Sequence, residues 1–226
     1  SGHVRQFRYW PFQCSDNFVL GGVVTIGSPT WTPAALGADL VLWLDASDTS
    51  TITLSSLNNN TVSQVADKSS NGRNVSSLVA SEQAIYDVDG LNNKPTLVFD
   101  GINDFMRGTD WWLTEIGDGA FSVFHVFESS SDFFGISVNA ADATGDTPRH
   151  YFMAEFMNYN TQNTLGLSGY DNSAVFQEWS HDGVQTLQMR RNGGAAVSAT
   201  QAAIAPSQGF YAFPFKSGNV AQPGKS

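Results

Sequence analysis

Residues 38–48, ADLVLWLDASD, constrain the fold more than any other stretch of this chain. In an extended backbone Leu40, Leu42 and Leu44 fall on one side, and Val41 and Trp43 on the other. Apolar side chains on both faces need cover on both, so the run predicts a strand in the middle of a packed sheet. Asp45 ends it, and Ala46-Ser47-Asp48-Thr49-Ser50 is turn chemistry.

The rest of the chain repeats that rhythm. Strands are expected at 4–12, 17–26, 84–88, 95–100, 119–128, 133–138, 149–157, 164–170, 174–177, 184–191, 201–204 and 210–215. Trp111-Trp112-Leu113 is read as extended too, with Trp111 and Leu113 on one side and Trp112 on the other. Residues 51–60 read as a polar surface loop. Asn71-Gly72 and Asn192-Gly193-Gly194 are tight-turn signals, because glycine takes a positive φ without steric cost. No ten-residue stretch has a helical period, apart from a turn near 33–37. Only 14% of residues are charged while 12% are aromatic, which favours strands and turns over surface helices. Short strands separated by turns predict an all-β, antiparallel two-sheet sandwich. The breaker-rich GSPTWTP at 27–33 separates an N-terminal extended arm and linker, residues 1–30, from a main domain at 31–226.

Four segments come in a familiar order: LVLWLDASD (40–48), VSQVADKSSNGRN (62–74), GLNNKPTLVFDGINDFM (90–106) and GAFSVFHVFE (119–128). Together they resemble the concanavalin A-like, laminin-G-like jelly-roll domains of bacteriophage virion proteins and bacterial surface proteins. The resemblance covers residues 31–194 and implies a jelly-roll sandwich; it does not imply an activity, since one sandwich hosts lectins, hydrolases and structural modules. Val65 stands where the family often has Trp, which implies different local packing. The family's closing strand and helix are not recognisable after Phe210: either this chain ends differently, or the domain is truncated, or the missing strand is supplied by another subunit or by the arm.

Candidate chemistry is sparse. Glycoside hydrolysis needs two carboxylates held about 5–9 Å apart. Asp87 and Asp89 have the right spacing on paper but flank the turn at Gly90. His3, His125, His150 and His181 are isolated, and the single cysteine, Cys14, has no base signature beside it. No catalytic residue is therefore assigned, no cofactor is expected, and the chain reads as non-enzymatic. Trp111 and Trp112 are the candidates for stacking on a sugar, with Asp110 and Arg107 to take its hydroxyls. Asp100, Asn103 and Asp104 offer hard oxygen ligands within one turn, the chemistry of a calcium site.

Net charge is −10, spread unevenly: residues 16–182 carry −16, and the stretches before and after them +2 and +4. An acidic body disfavours nucleic acid as a partner, because phosphate contacts need a dense basic patch. No apolar run is long enough to span a membrane, and the first residues lack the apolar core of a signal peptide. The leading expectation is a structural protein of a bacteriophage virion, made in the host cytoplasm: a capsid decoration, fibre or tail-associated module. Its expected partners are other virion proteins, copies of itself and host-surface glycans. The alternatives are a soluble bacterial carbohydrate-binding lectin module and a glycoside hydrolase on the same fold.

Overall fold

The structure is a computed structural model and describes residues 5–6, 32–56, 60–108, 111–129, 135–138, 150–153, 156–159, 163–171, 173–203 and 211–215. Its strands, in chain order, are β1 (Arg5–Gln6), β2 (Ile52–Leu54), β3 (Val62–Val65), β4 (Val75–Ser76), β5 (Ile85–Asp87), β6 (Thr96–Val98), β7 (Met106–Arg107) and β8 (Phe121–Phe127). They continue as β9 (Gly135–Val138), β10 (His150–Met153), β11 (Phe156–Tyr159), β12 (Asn163–Gly166), β13 (Val175–His181), β14 (Thr186–Arg191), β15 (Val197–Thr200) and β16 (Tyr211–Phe215). One helix, α1 (Trp112–Glu115), and four 3-10 turns complete the described elements. No helix of the described residues is long and apolar enough to cross a membrane.

The chain is all-β, and its sheets are antiparallel except where β1 lies parallel to β8. One sheet has the order β1-β8-β13-β14-β15, the other β12-β11-β10-β9-β16-β7-β4-β3-β2, and β5 and β6 form a separate ribbon. The alternation of β13 explains why the first two share a core. Val175, Gln177, Trp179 and His181 are buried at every second position, between half-buried neighbours. Trp179 and Phe121 from the five-stranded sheet meet Phe152 from the nine-stranded one, at 5.9 and 5.7 Å between ring centroids. Trp112 closes the cluster at 5.3 Å from Phe121 and 5.8 Å from Phe152. Tilted and edge-on rings at these distances add to the stabilisation that comes from burial itself.

Several expectations need correction. The run at 40–45 is buried at Leu40, Val41 and Leu42, but it is not a central strand. Leu40 makes a single bridge, and from Val41 to Asp45 there is no strand ladder. Side chains take several of its backbone groups instead, as described below, and the Trp43 carbonyl accepts from the Lys68 amide at 2.8 Å. Residues 111–113 are not extended either: Trp112 opens α1, and the Ile116 amide donates to the Trp112 carbonyl. Turning into a helix lets both indoles go inward, where a strand would have sent one out. The stretch 149–157 is two strands. β10 and β11 pair antiparallel with Phe152 opposite Met157, both fully buried, so the inward parity flips at the reversal. Residues 51–60 contain β2, which pairs with β3. The strand expected at 201–204 lies earlier, as β15, and 201–203 are not a strand. Those expected at 17–26 and over the rest of 4–12 fall outside the described residues.

The last described strand is central, not peripheral. β16 lies between β9 and β7, with Ala212 paired to Ser137 on one side and to Arg107 on the other. Pro214 is tolerated there because the register with β9 shifts between Ala212 and Phe215, where a ladder hydrogen bond is not required. The end of the chain thus joins two halves of the nine-stranded sheet.

Candidate functional site

Among the described residues, the loop at 67–74, DKSSNGRN, forms a dense polar arrangement closed over residues 40–48. Gly72 has φ +67°, which supplies the left-handed step of the Asn71-Gly72 turn. Asp67 organises the loop. Its Oδ1 accepts from the amides of Trp43 (3.0 Å) and Ser69 (2.8 Å). Its Oδ2 accepts from the Ser69 hydroxyl (2.7 Å) and the Arg73 amide (2.9 Å). The Asp67 amide in turn donates to Asn74 Oδ1. Asn71 Nδ2 donates to the carbonyls of Leu40 (2.9 Å) and Val41 (3.1 Å), and Arg73 donates to that of Val41 at 2.6 Å. Among the described residues, this buried apolar segment is hydrogen-bonded largely by side chains, with a backbone bond from the Lys68 amide to the Trp43 carbonyl.

Two cations finish the closure. Lys68 Nζ is 2.8 Å from Asp45 Oδ2 and 2.8 Å from Asp48 Oδ2, and sits 4.3 Å from the Trp43 ring centroid. Hydrogen bonds from Lys68 and then Ser50 hold the Asp48 carboxyl down at about 2. Burial alone would lower the Lys68 ammonium, but the hydrogen bonds and charges of Asp45 and Asp48 outweigh it, and the net shift is upward. Arg73 bridges to Glu115 at 3.1 Å and lies 4.9 Å from the Trp111 ring centroid. It thereby ties the loop to α1. The acidic and basic groups of this loop are committed to one another and to backbone, which is the chemistry of a fastening.

The proposed sugar contacts do not come together as a surface. Trp111 and Trp112 are 5% and 3% exposed, with their rings 5.6 Å apart inside the core. Neither offers an open face for stacking. Arg107 is exposed on β7, and Asp110 lies outside the described residues.

Asp100, Asn103 and Asp104 are brought together, as a turn. Asp100 Oδ1 accepts from the amides of Ile102, Asn103 and Asp104, and Asp104 Oδ2 accepts from the Asp100 amide at 2.9 Å. Asn103 Nδ2 donates to the Ser81 carbonyl at 2.7 Å. Burial first, with the Asp100 charge behind it, outweighs the Asp100 amide and raises the Asp104 carboxyl. Asp100 Oδ1 and Asp104 Oδ2 thus face amide donors. Asp87 likewise accepts from the Asp89 amide across its turn. Among the described residues no group of three or more His, Cys, Asp or Glu is placed to hold a metal ion.

One polar group was missed by sequence reasoning. His125, Gln177 and Arg191 lie side by side across β8, β13 and β14. Gln177 is fully buried, accepts from Arg191 Nε at 3.2 Å, and its Nε2 has no hydrogen-bond partner among the described residues. Arg191 reaches the Leu167 carbonyl at 3.0 Å and lies 5.4 Å from the Tyr170 ring centroid. Burial lowers His125 to about 4, so its ring is neutral at physiological pH. The available signal was parity: Gln177 sits between Val175 and Trp179 on the inward side of its strand.

Compared with protein-family models, with curated proteins and with solved structures, the chain matches none.

Proposed function

We propose that the protein is a non-enzymatic structural component of a bacteriophage virion, a jelly-roll decoration, fibre or tail-associated module. The observation that carries this reading is the 67–74 loop. It is the polar centre of the segments that resemble virion and surface jelly rolls, and its charged groups are directed at one another and at backbone. Two antiparallel sheets on one core support the jelly-roll part of the proposal. The body would attach to other virion proteins or to copies of itself, its −16 centre against basic surfaces and its basic ends against acidic ones.

Particles purified from the phage that encodes this chain are the test. Quantitative mass spectrometry should find it at a fixed copy number relative to the major capsid protein. Its absence from particles, or turnover of a polysaccharide by the purified chain, overturns the proposal.

A further inference from the structure

Asn71-Gly72 and Asn192-Gly193 carry the same reactive chemistry in opposite hydrogen-bonding roles. In an Asn-Gly pair the glycine amide nitrogen attacks the asparagine Cγ. A new C–N bond closes a five-membered imide and ammonia leaves. Water then opens either imide C–N bond, giving aspartate or isoaspartate, the latter with one more carbon in the backbone. No oxidant or partner is needed, and base accelerates the step by removing the glycine N–H proton.

Both sites suit the reaction. Asn71, Gly72, Asn192 and Gly193 are exposed. The amides of Gly72 and Gly193 donate no hydrogen bond among the described residues. A Cβ at either glycine would meet nothing within 4 Å, so the space beside each glycine Cα is open.

The products differ because the side chains act differently. Asn71 works as a donor: its Nδ2 faces the Leu40 and Val41 carbonyls and the Ser69 hydroxyl. A carboxylate there has no proton to give and sets negative charge against two carbonyl oxygens. Asn192 works as an acceptor: its Oδ1 takes the Phe176 amide at 2.8 Å. Aspartate keeps that bond and strengthens it by charge. It also tolerates the left-handed φ of 50° at this position.

We propose that Asn71 is a spontaneous self-modification site whose conversion removes the side-chain donor that holds the 67–74 loop to the Leu40 and Val41 carbonyls, while conversion of Asn192 to aspartate leaves its hairpin closed. The consequence is a built-in ageing step, since one uncatalysed reaction loosens the fastening described above.

The test ages the full-length chain in mildly alkaline buffer and maps it by peptide mass spectrometry with isoaspartate detection. Conversion at 71 should accumulate, and the melting midpoint of that fraction should fall by about 2–8 °C. Asn71→Asp should reproduce the fall. Asn192→Asp should stay within about 2 °C of the unaltered chain. Asn71→Gln, which cyclises far more slowly, should not show the time-dependent fall. If Asn71→Asp fails to fold, the aged natural chain, already folded when it converts, still gives the midpoint. Absence of conversion at 71, or equal midpoints for Asn71→Asp and Asn192→Asp, overturns the inference.

Discussion

The backbone amide of Trp43 donates to Asp67 Oδ1 at 3.0 Å, across 24 residues of sequence. It is one of the loop's bonds to the 40–45 segment, together with those of Asn71, Arg73 and the Lys68 amide. Three further donors converge on the same carboxylate, from Ser69 and Arg73. Asp67→Ala should therefore cost about 2–4 kcal/mol, because several partly buried donors lose their acceptor together. Asp67→Asn, which keeps one acceptor oxygen, should cost less. Urea unfolding midpoints of both variants check the ranking.

The Lys68 cluster predicts a pH dependence with a definite sign. Asp48 is held at about 2, below its ordinary 3.8, so its contribution is present above 3.8 and is lost as pH falls towards 2. Lys68 is raised above 10.5, so its contribution persists below that value and disappears at higher pH. Lys68→Met should destabilise by about 1–2 kcal/mol at neutral pH, discounted for the partial exposure of the pair. The difference from the unaltered chain should shrink as pH falls from 3.8 to 2. Unfolding midpoints across that range measure it.

How much of this was legible in sequence depended on who satisfies the backbone. Where strands pair with strands, alternation was enough: β8, β13 and β14 fall on the strands expected at 119–128, 174–177 and 184–191, and β13 continues to His181. At 40–45 burial was legible but pairing was not, because most of the acceptors and donors are side chains from 67–73. The Trp111-Trp112 pair misled for a related reason. A four-residue helix leaves no period to detect, yet it turns both indoles inward. Hairpin reversal between β10 and β11 was hidden because hydrophobic alternation continues with its parity flipped. The central place of β16 follows from long-range topology, which local pattern does not encode.

Burial of the indole pair makes Trp112 a core residue. Trp112→Ala removes contacts with Trp111, Phe121 and Phe152 and should cost about 3–5 kcal/mol. Trp112→Phe should recover part of it. Thermal unfolding followed by circular dichroism separates them, and a near-neutral Trp112→Ala would contradict the packing.

His125 adds a second acid-sensitive element. Its ring is held neutral down to about 4, against 6.5 ordinarily, so the unfolded chain binds a proton more readily between those values. Its contribution is full above 6.5 and is lost as pH falls towards 4. His125→Phe should flatten the stability profile over that interval, while NMR titration of the His125 ring should show no protonation above 5 or so.

β16 joins β9 to β7, so removing residues 211–226 should leave two unpaired sheet edges and abolish the single cooperative unfolding transition. A truncated chain that still unfolds in one sharp step would contradict the observed strand order.

The account turns on the 67–74 loop being part of the folded frame. Native-state hydrogen exchange at the Trp43 and Arg73 amides, both of which donate to Asp67, reads this directly. Protection close to that of the β13 and β14 amides is the predicted result. Exchange at the rate of an exposed loop, with β13 and β14 still protected, would contradict it.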